Sequence, residues 1–289
     1  MEKIIGVVGP TASGKTAFAI RLAKARGGEV VSCDSMQIYR HMDIGTAKPT
    51  PEEMEGIPHH MLDVAEPDEP YSVARYVQEA RRVIAQIHER GRLPILCGGT
   101  GLYFDSLIQN IQFSEMPADP AYRDTLFEMA KEKGAEAVYA LLKDIDPAAA
   151  AATHPNNLKR VIRALEIWHA TGKTKTELDL QSQGAPLYDA EVYGMAVPRA
   201  QLYERINQRV DRMIQDGLID EVRRLLEMGV PREATAMQAI GYKELVAYLD
   251  GACDLAAAVE KIKQESRRYA KRQMTWFRRN KAIQWIEIL

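Results

Sequence analysis

The chain has 289 residues, 46% of them hydrophobic and 27% charged, with a formal net charge of −2. That make-up fits a globular protein with room for one large domain or two, and it excludes a disordered or low-complexity chain. No run reaches the ~18 apolar residues of a membrane span, and there is no charged-then-apolar leader, so the cytoplasm is the expected compartment.

The apolar run Ile4 to Val8 predicts a buried strand. Behind it stands GPTASGKT, in which Gly9, four residues, Gly14, Lys15 and Thr16 have P-loop spacing. Glycines let backbone N–H groups turn inward on phosphate oxygens, and the lysine adds a mobile positive charge. A helix predicted from Thr16 to Ala25 adds the positive end of its dipole. Gly9, Pro10, Thr11, Ala12, Ser13, Gly14, Lys15 and Thr16 are therefore a candidate phosphate cradle. The motif names a diphosphate-bearing ligand and no more.

Glu29 to Cys33 predicts a second strand, and VSCDSMQIYR follows it. Asp34 stands at that strand's carboxyl end beside the phosphate loop, where a general base would accept a proton. The pair Asp34-Ser35 is also good helix-capping chemistry. Gln37 carries an amide of the kind that reads the N6 and N7 edge of an adenine. Further on, Val73, Tyr76, Val77, Ala80, Val83, Ile84 and Ile87 recur at helical spacing, predicting a helix over 72–90 with Gly91 as its cap. Leu93 to Cys97 then predicts a strand running into GGTGLY, whose glycines permit either a tight turn or close approach to a ligand beside Thr100; a ligand contact is expected.

A P-loop hydrolase or kinase usually sets a carboxylate at the end of such a strand to hold magnesium. Here the strand ends in Gly98-Gly99-Thr100-Gly101. That weakens the nucleotide-hydrolase reading and leaves Thr16 and the ligand's own oxygens as the place for a metal. Cys33, Cys97 and Cys253 form no CxxC pair, and the adjacent His59 and His60 have no Cys/His cluster to complete a metal site.

From about residue 113 to 190 the pattern is helical, broken by EMPADP, DIDP, THPNN and SQGAP. A strand returns at Glu191 to Val197, long helices follow, and AIQWIEIL predicts a closing strand. The expected fold is α/β: a P-loop NTPase-like core with a parallel sheet flanked by helices (1–112 and 191–289), plus an inserted all-helical domain (113–190). From Lys261 to Lys281 there are nine Lys or Arg against the single acid Glu265, with Tyr269, Trp276 and Phe277 interleaved. Such an excess is an electrostatic footprint for a polyanion. On a helix, Arg268, Lys271 or Arg272, Thr275 and Arg279 share one side and are expected to meet phosphates, while Ile262, Tyr269 and Trp276 are expected to pack inward.

The series GPTASGKT, DSMQIYR, DIGTAKP, PHHMLD, PILCGGTGLY, RVIRALE, RINQRVD, QAIGYKE and RRYAKRQMTWFR resembles the tRNA dimethylallyltransferases, also called tRNA isopentenyltransferases, from about residue 4 to the C-terminus. The resemblance implies transfer of a dimethylallyl group from dimethylallyl diphosphate to N6 of the adenosine 3′ of the anticodon, with Mg2+ as cofactor. It implies Asp34 as base, Lys15, Thr16 and Arg209 at the diphosphate (Arg205 being the alternative to Arg209), Thr16 on the metal, and Thr100 near the reaction channel. It further implies tRNA contacts at Asp34, Ser35, Met36, Gln37, Thr100, Arg123, Lys159, Arg160, Val161, Ile162, Arg163, Tyr242 and Lys243, joined by Arg268, Lys271 and Arg272 of the basic helix. Lys159 stands where the family commonly has glutamine, a departure that argues against an amide-specific contact there and leaves a phosphate contact open. The anticodon stem-loop is the implied partner and a monomer the implied state. Two other readings stay open on the residues alone: a small-molecule kinase with Asp34 as base, and a nucleotide-sensing RNA-binding protein without catalysis.

Overall fold

The computed structural model describes residues 1–113, 119–182 and 184–288. The predicted breaks EMPADP and SQGAP therefore fall partly outside the described residues. Strand β1 (Glu2–Val8) leads through the glycine loop into α1 (Lys15–Arg26) and then β2 (Gly28–Ser32). A one-turn α2 (Pro51–Met54) precedes β3 (His59–His60), α3 (Val73–Glu89), β4 (Leu93–Gly98) and α4 (Gly101–Ile108). Five helices come next: α5 (Pro120–Lys133), α6 (Ala135–Ile145), α7 (Pro147–Ala151), α8 (Leu158–Thr171) and α9 (Lys175–Gln181). The chain then forms β5 (Tyr188–Ala196), α10 (Arg199–Gln215), α11 (Leu218–Glu227), a 3-10 turn at Ala236–Gln238, α12 (Tyr242–Leu249), α13 (Leu255–Phe277) and β6 (Gln284–Glu287).

Two compact units emerge, Met1–Ile108 with Pro186–Leu289, and Gln109–Ala185. In the first, six strands lie in the order β3-β2-β4-β1-β5-β6, and every pairing is parallel. A parallel sheet covered on both faces needs apolar residues at consecutive positions. In β1, Ile4 and Val8 face α3 and α4, while Ile5 and Val7 face α1. Gly6 lets α4 come close, since a Cβ there would sit 2.6 Å from the Phe104 ring. The loops after β1, β2 and β4 leave the carboxyl edge of three neighbouring strands, which is where an open α/β sheet binds ligands.

The two-residue β3 was not legible in the sequence. It pairs with Val30 and Val31 of β2 and is held by His60 Nε2 at 2.7 Å from buried Glu29, which also binds Arg90. A second core gathers Ile38, Tyr39 and Met42, from the segment after β2, against α11, α12 and the first half of α13. The helical unit packs α5, α6 and α8 around Leu126, Val138, Leu142, Val161 and Leu165. Among the described residues no helix is long and apolar enough to cross a membrane.

Candidate active site

The phosphate loop bends through backbone regions that its glycines make accessible. Gly14 is left-handed at φ 83° and caps α1, where Phe18 N–H donates to its carbonyl at 3.1 Å. Ala12 holds φ 60° despite its side chain, a strain typical of functional loops. Lys15 Nζ donates to Pro10 O at 3.3 Å. From α10, Arg209 Nη1 donates to Thr11 Oγ1 at 3.3 Å. Burial pushes the Lys15 ammonium below lysine's ordinary 10.5 and the Arg209 guanidinium below its ordinary range, each opposed by the negative charge of Asp34. Among the described residues neither cation has a carboxylate within ion-pair distance. Two desolvated cations at a helix N-terminus make an anion site.

Lys15, Thr16, Asp34 and Arg209 line one cavity of about 360 Å3, together with Met36, Ile206, Val210, Met213 and Ile240 on its apolar walls. Arg205, the alternative diphosphate contact, is not among the lining residues. Asp34 is half-buried, and its Oδ1 accepts from Met36 N–H at 2.9 Å, which fixes the carboxylate by an Asx turn. Ser35 N–H donates to Thr100 Oγ1 at 2.9 Å, and Thr100 N–H donates to Cys33 O at 3.1 Å. Thr100 thus ties the Asp34 loop to the end of β4.

Several expectations need correction. The Gln37 carboxamide has no free donor for an adenine edge: its Nε2 donates to Thr46 O and Ala47 O, and its Oε1 accepts from Ser32 Oγ. The glycines around Thr100 serve approach by protein rather than ligand. A Cβ would lie 2.0 Å from Cys33 O at Gly98, 2.1 Å from Gln273 Nε2 at Gly99 and 2.2 Å from the Trp276 ring at Gly101. Val161 and Ile162 are core residues of the helical unit, and Tyr242 is fully buried, so their side chains are unavailable to RNA.

Lys159, Arg160 and Arg163 are exposed on α8. Arg123 makes a two-pronged pair with the Glu166 carboxylate at 2.6 and 2.9 Å, with its own side chain about half exposed. Lys243 is exposed and lines the cavity. On α13, Arg268, Lys271, Arg272 and Thr275 are exposed, as is Arg279 just beyond its end, while Ile262 is buried and Tyr269 and Trp276 are half-buried. Not all of that helix's charge faces outward, since Lys263 pairs with Asp211 of α10 and Arg267 bonds Asn207 and Glu260.

Two structural residues of the site escaped the motif reading. Gln273, 5% exposed, accepts from Thr11 N–H at 2.9 Å and donates to Gly99 O at 3.0 Å. Glu221, 1% exposed, accepts from the N–H groups of Asp43, Ile44 and Gly45 and from Tyr242 O–H at 2.6 Å. It thereby shapes the DIGTAKP loop, whose Gly45, Thr46, Ala47 and Pro49 line the cavity. Both left one trace in the sequence, a polar residue on the apolar face of an amphipathic helix.

Among the described residues no group of three or more His, Cys, Asp and Glu side chains converges. Thr16, in the first turn of α1, offers one hydroxyl at the cavity wall. That donor set fits a hard cation such as Mg2+ that takes most of its oxygens from a phosphate ligand and solvent.

Residues 37–280 match the family model described as IPP transferase. The chain is 54% identical over 287 residues to the tRNA dimethylallyltransferase of Geobacillus thermodenitrificans (strain NG80-2), covering 99% of this chain and 91% of the relative. It is 50% identical to that of Bacillus subtilis (strain 168), with the same coverage. Among solved structures, it is similar to the full-length tRNA isopentenylpyrophosphate transferase from Bacillus halodurans (TM-score 0.75, 48% identity, covering 99% of this chain and 90% of that one). It also resembles a eukaryotic dimethylallyltransferase acting on tRNA (TM-score 0.83, 31% identity, 99% and 74%).

Proposed function

Because the chain belongs to the IPP transferase family, we propose that it moves the dimethylallyl group of dimethylallyl diphosphate onto N6 of the adenosine 3′ of the anticodon in tRNA, releasing diphosphate. The observation that carries this reading is a P-loop whose two desolvated cations share one cavity with the Asp34 carboxylate, while β4 ends in glycines instead of a magnesium-holding acid. The loop then serves a leaving diphosphate, and no nucleoside triphosphate is split.

Each residue has a defined task. An aromatic exocyclic amine is a poor nucleophile, so Asp34 accepts a hydrogen bond from N6, orients it and takes its proton as the bond to the allylic carbon forms. The allylic carbon tolerates positive charge, which makes departure of the diphosphate the step to assist. Lys15, Arg209 and the N-terminus of α1 stabilise the charge gathering on the leaving oxygens. Mg2+, when bound, neutralises part of that charge, with Thr16 as its protein ligand. The apolar walls hold the five-carbon chain and keep out water.

The target adenine must leave its stack to reach Asp34. The exposed cations of α13 would hold the anticodon stem-loop by its phosphates, and Lys159, Arg160 and Arg163, exposed on the helical unit, are each proposed as phosphate contacts in their own right. The base, the cations and the basic helix belong to one chain, so it would act as a monomer in the cytoplasm, where tRNA is found. Replacing the adenosine 3′ of the anticodon by guanosine in a stem-loop substrate is expected to abolish transfer. Undiminished transfer to such a substrate would overturn the assignment of the acceptor.

A further inference from the structure

Helix α13 contributes more than charge. Its inner face carries, within two turns, Tyr269, Gln273 and Trp276, which meet the catalytic edge and the start of α4. Trp276 Nε1 donates to Asp105 Oδ2 at 2.7 Å, and its ring fills the space that Gly101 leaves open. The Tyr269 phenol lines the cavity close to Thr100 and Gln273. The Gln273 carboxamide uses both ends: its oxygen holds Thr11 N–H of the phosphate loop, and its NH2 holds Gly99 O. Gln273 thus joins Gly99, at the end of β4, to Thr11 in the phosphate loop, while the adjacent Thr100 joins the end of β4 to Ser35 N–H beside the base.

Thr11 N–H is thereby committed to the protein and is not a diphosphate donor, although Thr11 belongs to the cradle. Its hydroxyl accepts from Arg209, so the same residue also orients a diphosphate cation. We propose that Gln273 is a positioning residue that sets the mouth of the phosphate loop, and its spacing from Asp34, by bridging Thr11 and Gly99 from helix α13. This inference rests on the diphosphate reading above. Gln273 lines the cavity, but both ends of its carboxamide are committed to Thr11 and Gly99.

Only a side chain that accepts at one end and donates at the other can make the bridge. Leucine has nearly the same volume and can do neither, leaving Thr11 N–H and Gly99 O without partners. A protonated glutamic acid can do both, whereas its carboxylate can only accept and would face the Gly99 oxygen. Gln273→Leu is therefore expected to weaken binding of Mg2+-pyrophosphate, and to raise KM for dimethylallyl diphosphate, by roughly tenfold or more, with tRNA affinity within about twofold of the parent. Gln273→Glu is expected to bind pyrophosphate nearly as well as the parent at about pH 6, and progressively worse relative to it towards about pH 8.5, as the buried carboxyl ionises.

The experiment is calorimetric titration of the full chain and both variants with Mg2+-pyrophosphate across that range, paired with tRNA binding and steady-state kinetics. If Gln273→Leu does not fold, the Glu variant at low pH still carries the test. Parental pyrophosphate affinity in the Leu variant, or a Glu-to-parent affinity ratio that does not move with pH, would overturn the proposal. A parent chain that neither binds pyrophosphate nor transfers the prenyl group would instead refute the diphosphate reading itself.

Discussion

Asp34→Asn separates the base from the scaffold that holds it. The carboxylate Oδ1 accepts from Met36 N–H at 2.9 Å, and the amide oxygen of asparagine can accept the same bond, so the loop and its link through Ser35 to Thr100 should survive. What is lost is the proton acceptor and one negative charge. General-base catalysis contributes about 10²- to 10⁴-fold, so kcat is expected to fall by that factor. The charge has a second consequence, because Asp34 attracts both Lys15 and Arg209. Removing it relieves repulsion of an anionic ligand, and pyrophosphate affinity should stay the same or rise, by less than about tenfold. Single-turnover transfer at saturating tRNA and dimethylallyl diphosphate measures the first quantity, and calorimetry with Mg2+-pyrophosphate measures the second. Turnover within about threefold of the parent would refute Asp34 as the base. A large loss of pyrophosphate affinity would show instead that Asp34 builds the phosphate loop.

Glu221→Ala orphans three backbone N–H groups and the Tyr242 hydroxyl, and should destabilise the chain by about 3–5 kcal/mol, or about 10 °C in Tm. Tyr242→Phe removes one of those four bonds and should lose about 1.5 kcal/mol, and the two changes should combine less than additively in thermal melts. Lys15 binds diphosphate in its protonated form and titrates below 10.5, so pyrophosphate affinity should fall as pH rises through that lowered value. A Lys15→Met variant should lack that decline, and a parent profile flat up to pH 10.5 would contradict it. Charge reversal at Arg268 and Arg272 should weaken tRNA binding and reduce the slope of log affinity against log salt by about 1.5–2; an unchanged slope would remove α13 from the RNA interface.

The sheet was legible because a parallel strand buried on both faces leaves an unbroken apolar run, as in Ile4 to Val8 and Leu93 to Cys97. The phosphate loop was legible because its chemistry fixes its spacing. His59 and His60 gave no sign of strand, since two residues have no period and their place is set by Glu29 on another element. The glycines of GGTGLY announced a close approach, but sequence does not say what approaches. The structure supplies Cys33, Gln273 and Trp276, two of them from a helix far along the chain. Gln37 shows the same limit. Its amide could serve RNA or its own loop, and only the positions of Thr46 and Ala47 decide between them.

The central claim is that the phosphate loop grips a leaving diphosphate instead of a nucleotide. The direct measurement mixes the purified chain with Mg2+, labelled dimethylallyl diphosphate and unmodified tRNA carrying adenosine 3′ of the anticodon, with ATP left out, and follows label into RNA and diphosphate into solution. Label is expected on that adenosine, with one diphosphate released for each prenyl group transferred. No label on any of several such tRNAs, together with phosphate transfer once ATP is added, would contradict it and return the site to a kinase.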